Sequence, residues 1–164
     1  TTVFDDPFDS NRNGRKMLIP SMQSHDPLDL IIIMLGSNDM KKIFNIGPSE
    51  IARGAGALAQ IAIDWTREKS NTNTPVKILL VSPIHINKTI VVSPFGEEFG
   101  YLESFEKSLQ LAPQFQMIAE ELGVEFMDAA LAAKPSEEDG LHLTKEGHKN
   151  LANAFAKKIK EILG

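Results

Sequence analysis

Leu28–Leu35 (LDLIIIML) is the least polar stretch of the chain. Its nearly unbroken apolar, β-branched character predicts a strand covered on both faces, as in a parallel sheet. It stops at Gly36. Val76–Val81 predicts a second buried strand, ended by Ser82-Pro83, and Val124–Met127 a short third one. Between the strands the period changes. Gly47-Pro48-Ser49-Glu50 reads as a helix start, with Pro at the first helical position and Glu in the first turn. Ile51, Ala55, Leu58, Ala62 and Trp65 then recur at helical spacing, one stripe facing the sheet. Gly54 and Gly56 weaken that helix locally and suit a close approach by a neighbour. Glu103–Leu122 is helical in pattern; Pro113 removes a backbone donor and should kink or divide it, and Gly123 ends it. Thr144 caps a last helix with an inner face of Leu151, Phe155, Ile159 and Ile162. Arg15–Ser24 supports a further short helix, Ser70–Pro75 is a polar loop, and His85–Tyr101 reads as an irregular, unusually apolar connection (Ile90, Val91, Val92, Phe95, Phe99).

Strand, helix, strand, helix, strand, helix calls for an α/β fold: a parallel sheet with helices on both faces and right-handed crossovers. No repeat or linker divides residues 1–164, which read as a single domain. Ligands in such folds collect outside the carboxyl ends of the strands, and Gly36–Asp39, Ser82–His85 and the Asp128–His142 loop all fall at that rim. Three strands make a thin sheet, however, and Leu28–Leu35 is too apolar for an open edge.

Composition narrows the function. At 164 residues the chain can bury roughly 70% of its unfolded surface. A formal charge of −5 leaves no basic footprint for nucleic acid. No apolar run approaches the ~18 residues of a membrane span. With no cysteine there is neither disulfide nor thiolate metal site. The compartment is unassigned, with the cytoplasm as the default expectation, and no cofactor is called for.

The chemistry lies in two short blocks. In Asp139-Gly140-Leu141-His142 a carboxylate stands three residues before an imidazole, where it can hold the ring in one tautomer for proton transfer. The alternatives are a surface turn with a salt link, or a metal site of Asp139, His142 and His148, which lacks a recognised ligand spacing. In Gly36-Ser37-Asn38-Asp39, Asn38 can aim its amide at a developing oxyanion or simply terminate the strand. Asp39 braces the turn, and Gly36 leaves room for backbone to approach a substrate. His85 suits pocket lining as well as a structural role. His25 is a loop residue, and His148 is packed or solvated. No G-x-S-x-G elbow occurs, and neither Ser37 nor Ser82 has the neighbours of an activated nucleophile.

Both blocks, with Thr1-Thr2-Val3-Phe4-Asp5-Asp6-Pro7, Leu28–Asp39 and Val81-Ser82-Pro83, resemble the SGNH or GDSL hydrolases, most closely their bacterial arylesterase/acyltransferase branch. The resemblance covers essentially the whole chain. It implies a flavodoxin-like three-layer α/β/α fold with strand order 2-1-3-4-5 and a Ser-Asp-His triad. Asn38 would be the side-chain oxyanion donor, His142 the base and Asp139 its orienting partner. Gly36, Ile84 and His85 would line the oxyanion and substrate side. The family's Gly-Asp-Ser block, which carries the nucleophile, does not occur here, nor does the small residue that supplies another oxyanion donor. In the family both lie on the first two strands, ahead of the Thr-Thr segment, and the first strand would cover the apolar edge of Leu28–Leu35.

The expectation is therefore the C-terminal portion of a serine esterase for small acyl esters, working through an acyl-enzyme and open to acyl transfer. Its N-terminal segment, removed by cleavage after an Arg that precedes Thr-Thr in similar sequences or otherwise absent, would be its partner. The apolar loop Ile84–Tyr101 would wall an acyl pocket or meet another subunit in a homo-oligomer. The rival readings are a degenerate, non-catalytic binding module and a phosphate binder, the latter disfavoured because no Gly-rich loop follows a strand.

Overall fold

The computed structural model describes residues 1–69 and 75–164. Three parallel strands, β1 (Leu30–Ile33), β2 (Lys77–Ser82) and β3 (Glu125–Asp128), stand side by side in chain order. Ile31 pairs with Ile78, Ile33 with Leu80, and Leu80 in turn with Phe126. This is the arrangement that the last three strands of a 2-1-3-4-5 sheet would have. Among the described residues six α-helices accompany the sheet: α1 (Gly14–His25), α2 (Pro48–Lys69), α3 (Gly96–Phe99), α4 (Leu102–Ser108), α5 (Leu111–Leu122) and α6 (Lys145–Leu163). The polar loop expected at Ser70–Pro75 lies outside the described residues except for Pro75. No helix among the described residues is long and apolar enough to cross a membrane.

Both faces of β2 are buried. Ile78 and Leu80 join Ile31 and Ile33 under α2 and α5, where Ile51, Ala55, Leu58, Phe115 and Ala119 complete the larger core. Leu79 and Val81 face the other way, onto Leu151, Phe155 and Ile162 of α6. Leu79, Leu80 and Val81 have no exposed surface, and each such side chain contributes about 1.5–3 kcal/mol by leaving water. The fully apolar run of β2 thus needs helices on both sides, and it has them.

β1 departs from expectation. It spans four residues, shorter than the apolar run, and only one of its faces is covered. Ile31 and Ile33 are buried, whereas Ile32 and Met34 are 40% and 37% exposed. Its free edge pairs with no strand among the described residues. Leu30 packs against the second core, with Leu79, Val81 and Leu151 among its members.

The glycines of α2 do what their position suggests. A Cβ on Gly56 would come within 2.5 Å of Ile118 Cγ2 on α5, and one on Gly54 would collide with Thr2 Oγ1. The helical run 102–122 is divided between Ser108 and Leu111. Pro113 sits in the first turn of α5, where a backbone donor would have no intrahelical acceptor. Its ring excludes the carbonyl four residues back, at Leu109, from a continuing helix. The region 85–101 is more regular than expected: a 3₁₀ turn at Lys88–Val92 and then α3. Thr144 caps α6, its Oγ1 accepting from Gly147 N at 3.0 Å.

Asp39 has no exposed surface. Its carboxylate accepts from Thr2 N at 2.9 and 3.0 Å and from Thr2 Oγ1 at 2.5 Å, while Gly14 N and Arg15 N donate to the carbonyls of Thr1 and Thr2. Replacing Asp39 by Ala strands a buried N–H and a buried hydroxyl, so a loss of about 2 kcal/mol or more is expected. Urea unfolding of Asp39→Ala should show a lower midpoint at an unchanged slope; an unaltered midpoint would show that the carboxylate braces nothing.

Candidate active site

Three connections leave the carboxyl ends of the strands, and each carries one part of the site. After β1 the chain turns at Gly36, whose φ of +131° lies outside what L side chains readily adopt. A Cβ there would meet Ile51 Cγ2 at 3.0 Å, Phe115 Cζ at 3.3 Å and Pro83 Cγ at 3.4 Å. The core packed against this position thus leaves no room for a side chain. The tight turn delivers Asn38 into a 3₁₀ turn, Asn38–Met40. Asn38 is half-buried, and its neighbour Asp39 is tied to Thr2, so the turn is held from beneath.

After β3 comes the loop that holds the acid and the imidazole. Asp139 Oδ1 accepts from the backbone N–H of Leu141 and of His142, both at 2.9 Å, and Oδ2 lies 2.7 Å from His142 Nδ1. One carboxylate thus closes the turn and orients the ring. Partial burial pushes its pKa upward, but the two N–H donors and the imidazole outweigh that and hold the carboxyl below the usual carboxylate range. Nδ1 faces Asp139, so Nε2 is the nitrogen left for a reacting group. The His142 side chain is 64% exposed, and Phe95 supports the ring edge-on at 5.2 Å between centroids.

The turn has a built foundation. Gly140 has φ +71°, and a Cβ there would come within 2.7 Å of Ile90 N and 3.1 Å of Asn87 O. Asn87 N donates to Gly140 O at 2.8 Å, Gly140 N donates to Ser136 O at 2.9 Å, and Ser136 N donates to His142 O at 2.7 Å. Pro135 and Leu143 form an isolated antiparallel bridge. The connection after β2 therefore clamps the connection after β3.

That middle connection also joins the imidazole to the Asn38 side. Phe95 immediately precedes α3, which packs on the 3₁₀ turn Lys42–Phe44, and α4 packs on Asn38–Met40. The buried Lys41 bridges Glu98 of α3 at 2.8 Å and the buried Asp6 at 3.5 Å. The connections that carry Asn38 and His142 thus both contact the segment 95–108.

The remaining residues named from sequence separate. Ile84 is 9% exposed and packs with Leu79, Val81, Ala129, Ala133 and Leu151 in the second core. His85 lines a cavity of about 270 Å³ with Ile86, Asn87, Phe105 and Pro135 among its walls. Ser82 is buried, its Oγ without a hydrogen-bond partner among the described residues. His25 and His148 are exposed, the former bonded to Ser21 O and Ser24 Oγ. No metal-binding group of three His, Cys, Asp or Glu side chains occurs among the described residues. Sequence reasoning missed Phe95 as the ring's support and Asn87 as the clamp on Gly140. The apolar content of 85–101 was the only signal for the first, and backbone hydrogen bonding leaves no signal for the second.

Residues 8–155 match the family described as GDSL-like Lipase/Acylhydrolase. No curated protein sequence matches the chain. Among solved structures, Est24, a carbohydrate acetylesterase from Sinorhizobium meliloti, is 34% identical with a TM-score of 0.89, covering 99% of this chain and 74% of its own. The inhibitor-bound aryl esterase of M. smegmatis is 32% identical with a TM-score of 0.87, over 99% of this chain and 74% of its own. About a quarter of each relative thus has no counterpart here. The family match spans most of the chain, the two esterases superpose on nearly all of it, and an acid-imidazole pair stands at the strand ends where such enzymes keep their sites. The chain belongs to the GDSL-like lipase/acylhydrolase family, and its chemistry is the hydrolysis of acyl esters.

Proposed function

We propose that Asn38, Asp139 and His142 are the charge-stabilising and proton-handling groups of a serine esterase for small acyl esters, and that the nucleophile comes from a segment N-terminal to Thr1. The observation that carries this reading is the 2.7 Å contact between His142 Nδ1 and Asp139 Oδ2, made on an exposed ring at the carboxyl rim of a parallel sheet. With Nδ1 engaged, Nε2 takes the proton of the attacking serine as its oxygen bonds to the ester carbonyl carbon. The carbonyl oxygen becomes an oxyanion toward which the Asn38 amide donates. The C–O bond to the alcohol then breaks, the alcohol leaving with the proton that His142 held. Water repeats the sequence on the acyl-enzyme, releasing the acid.

The open edge of β1 supports the second half of the proposal. Ile32 of β1 and Met34 just past its end are exposed, and the edge of β1 away from β2 pairs with no strand among the described residues, an arrangement that soluble proteins avoid. The esterase relatives are longer by a stretch sufficient for one further strand and more. A parallel strand added beside β1 would cover that edge and bring its own carboxyl end, with the serine, to the rim that holds Asn38 and His142. The names of the relatives, a carbohydrate acetylesterase and an aryl esterase, favour short acyl groups on a cyclic alcohol.

A fluorophosphonate probe tests the assignment: it should label one serine, on the N-terminal segment, when that segment co-purifies or is supplied in the full-length enzyme. Labelling of Ser37 or Ser82, or of no serine at all, would refute it. In the full-length enzyme Asn38→Ala should lower kcat by roughly 10²–10³ through loss of an oxyanion donor. Asp139→Asn should cost up to about 10⁴ in kcat, because the amide favours the wrong tautomer of His142. Steady-state turnover of a short-chain aryl ester reads both, and wild-type rates in either variant would remove that residue from the mechanism.

A further inference from the structure

The cavity beside His85 has a chemistry that ester cleavage does not require. Its apolar walls are Ile86, Phe105, Leu109, Ala130, Ala133 and Pro135, and its polar lining is His85, Asn87, Lys88 and Lys134. No Asp or Glu lines it, in a chain with 22 acidic and 17 basic residues. Neither lysine has a carboxylate partner among the described residues, whereas Lys16, Lys41, Lys107 and Lys158 each do. Lys88 Nζ stands 5.3 Å from the centroid of the Phe105 ring, a contact that holds the ammonium over the cavity wall and leaves its charge uncompensated. The Lys88 ammonium, with Lys134 also on the lining and without a carboxylate partner among the described residues, gives an apolar cavity a cationic character suited to a compact anion with an apolar body. At about 270 Å³ the space suits one ring and a substituent.

The cavity is joined to the catalytic loop on two sides. Asn87 N donates to Gly140 O, two residues from His142, and the residue after Pro135, Ser136, donates its N–H to His142 O. We propose that this cavity is a subsite for a carboxylate carried on the part of the ester substrate that is not attacked, with Lys88 and Lys134 as its anion-binding groups. Its place in the reaction rests on the catalytic reading given above; its ligand chemistry rests on its own walls. The subsite would make the enzyme prefer esters of acidic alcohols over their neutral isosteres.

Titration of the ¹⁵N-labelled chain with 4-hydroxybenzoate and with its neutral twin 4-hydroxybenzamide tests the cavity without catalysis. Benzoate should bind more tightly, with amide shifts centred on residues 85–88 and 130–135. The benzoate-to-benzamide affinity ratio should fall about tenfold in Lys88→Gln/Lys134→Gln. Added salt should shrink the same preference in the wild-type chain, a check that needs no variant. Equal affinities for the two ligands, shifts centred elsewhere, or a preference indifferent to salt and to the substitutions would each overturn the proposal. In the full-length enzyme the kcat/KM ratio for 4-carboxyphenyl acetate over 4-carbamoylphenyl acetate should fall by a similar factor in the double variant, and an unchanged ratio counts against the subsite. Failure to cleave either ester would instead count against the catalytic reading, with the titration still deciding the cavity.

Discussion

A carboxylate with no exposed surface must find its donors inside the protein, and Asp39 finds them on Thr2. Much of the rim follows from that arrangement. Asp39 sits one residue beyond Asn38, so fixing its side chain fixes the turn that presents the amide. Thr2 fits against α2 only because residue 54 is glycine, which ties the first residues of the chain to the helix that packs on β1 and β2. A buried charge without hydrogen bonds would be costly; bonded here, it joins the start of the chain, the end of β1 and the longest helix at one point.

The imidazole is held by a different device, made almost wholly of backbone. Asp139 spends one oxygen on two main-chain N–H groups and the other on the ring, so the acid cannot rotate without opening the turn. Gly140 permits the left-handed bend and the contact with Asn87, and Phe95 limits where the ring can lie. Preorganisation of this kind lets a base act without first paying to order itself. The Asn38 side and the His142 side are connected through α3 and the buried Lys41, which pairs with the buried Asp6 and the exposed Glu98.

Several features were legible because they follow from local rules. The β-branched run of β2, the Pro48 start of α2, the Thr144 cap of α6 and the acid-x-x-His spacing each reflect short-range geometry. So does the division before Pro113, since a proline ring acts on the carbonyl four residues back. Other features were not legible because the deciding neighbour is distant in sequence. At Gly36 a side chain is excluded by Ile51, Pro83 and Phe115, none of which is a sequence neighbour. Ile84 lies past the end of β2, after Pro83, and packs with Ala129, Ala133 and Leu151 on the side that Leu79 and Val81 face, a placement that strand alternation alone does not give. The apolar region 85–101 gave no periodicity long enough to show its short helical turns.

The order of strands and helices and the parallel sheet were determined by sequence alone, because each depends on spacing and patterning within a few residues, and the resemblance of two short blocks pointed to the family. Tertiary structure decided which face of β1 is covered, what Phe95 touches, and that two lysines 46 positions apart line one cavity without a counter-ion. Those outcomes depend on how separate connections settle against one another at the ends of the strands, and no local pattern encodes the distance between chain segments that meet only after the sheet has formed.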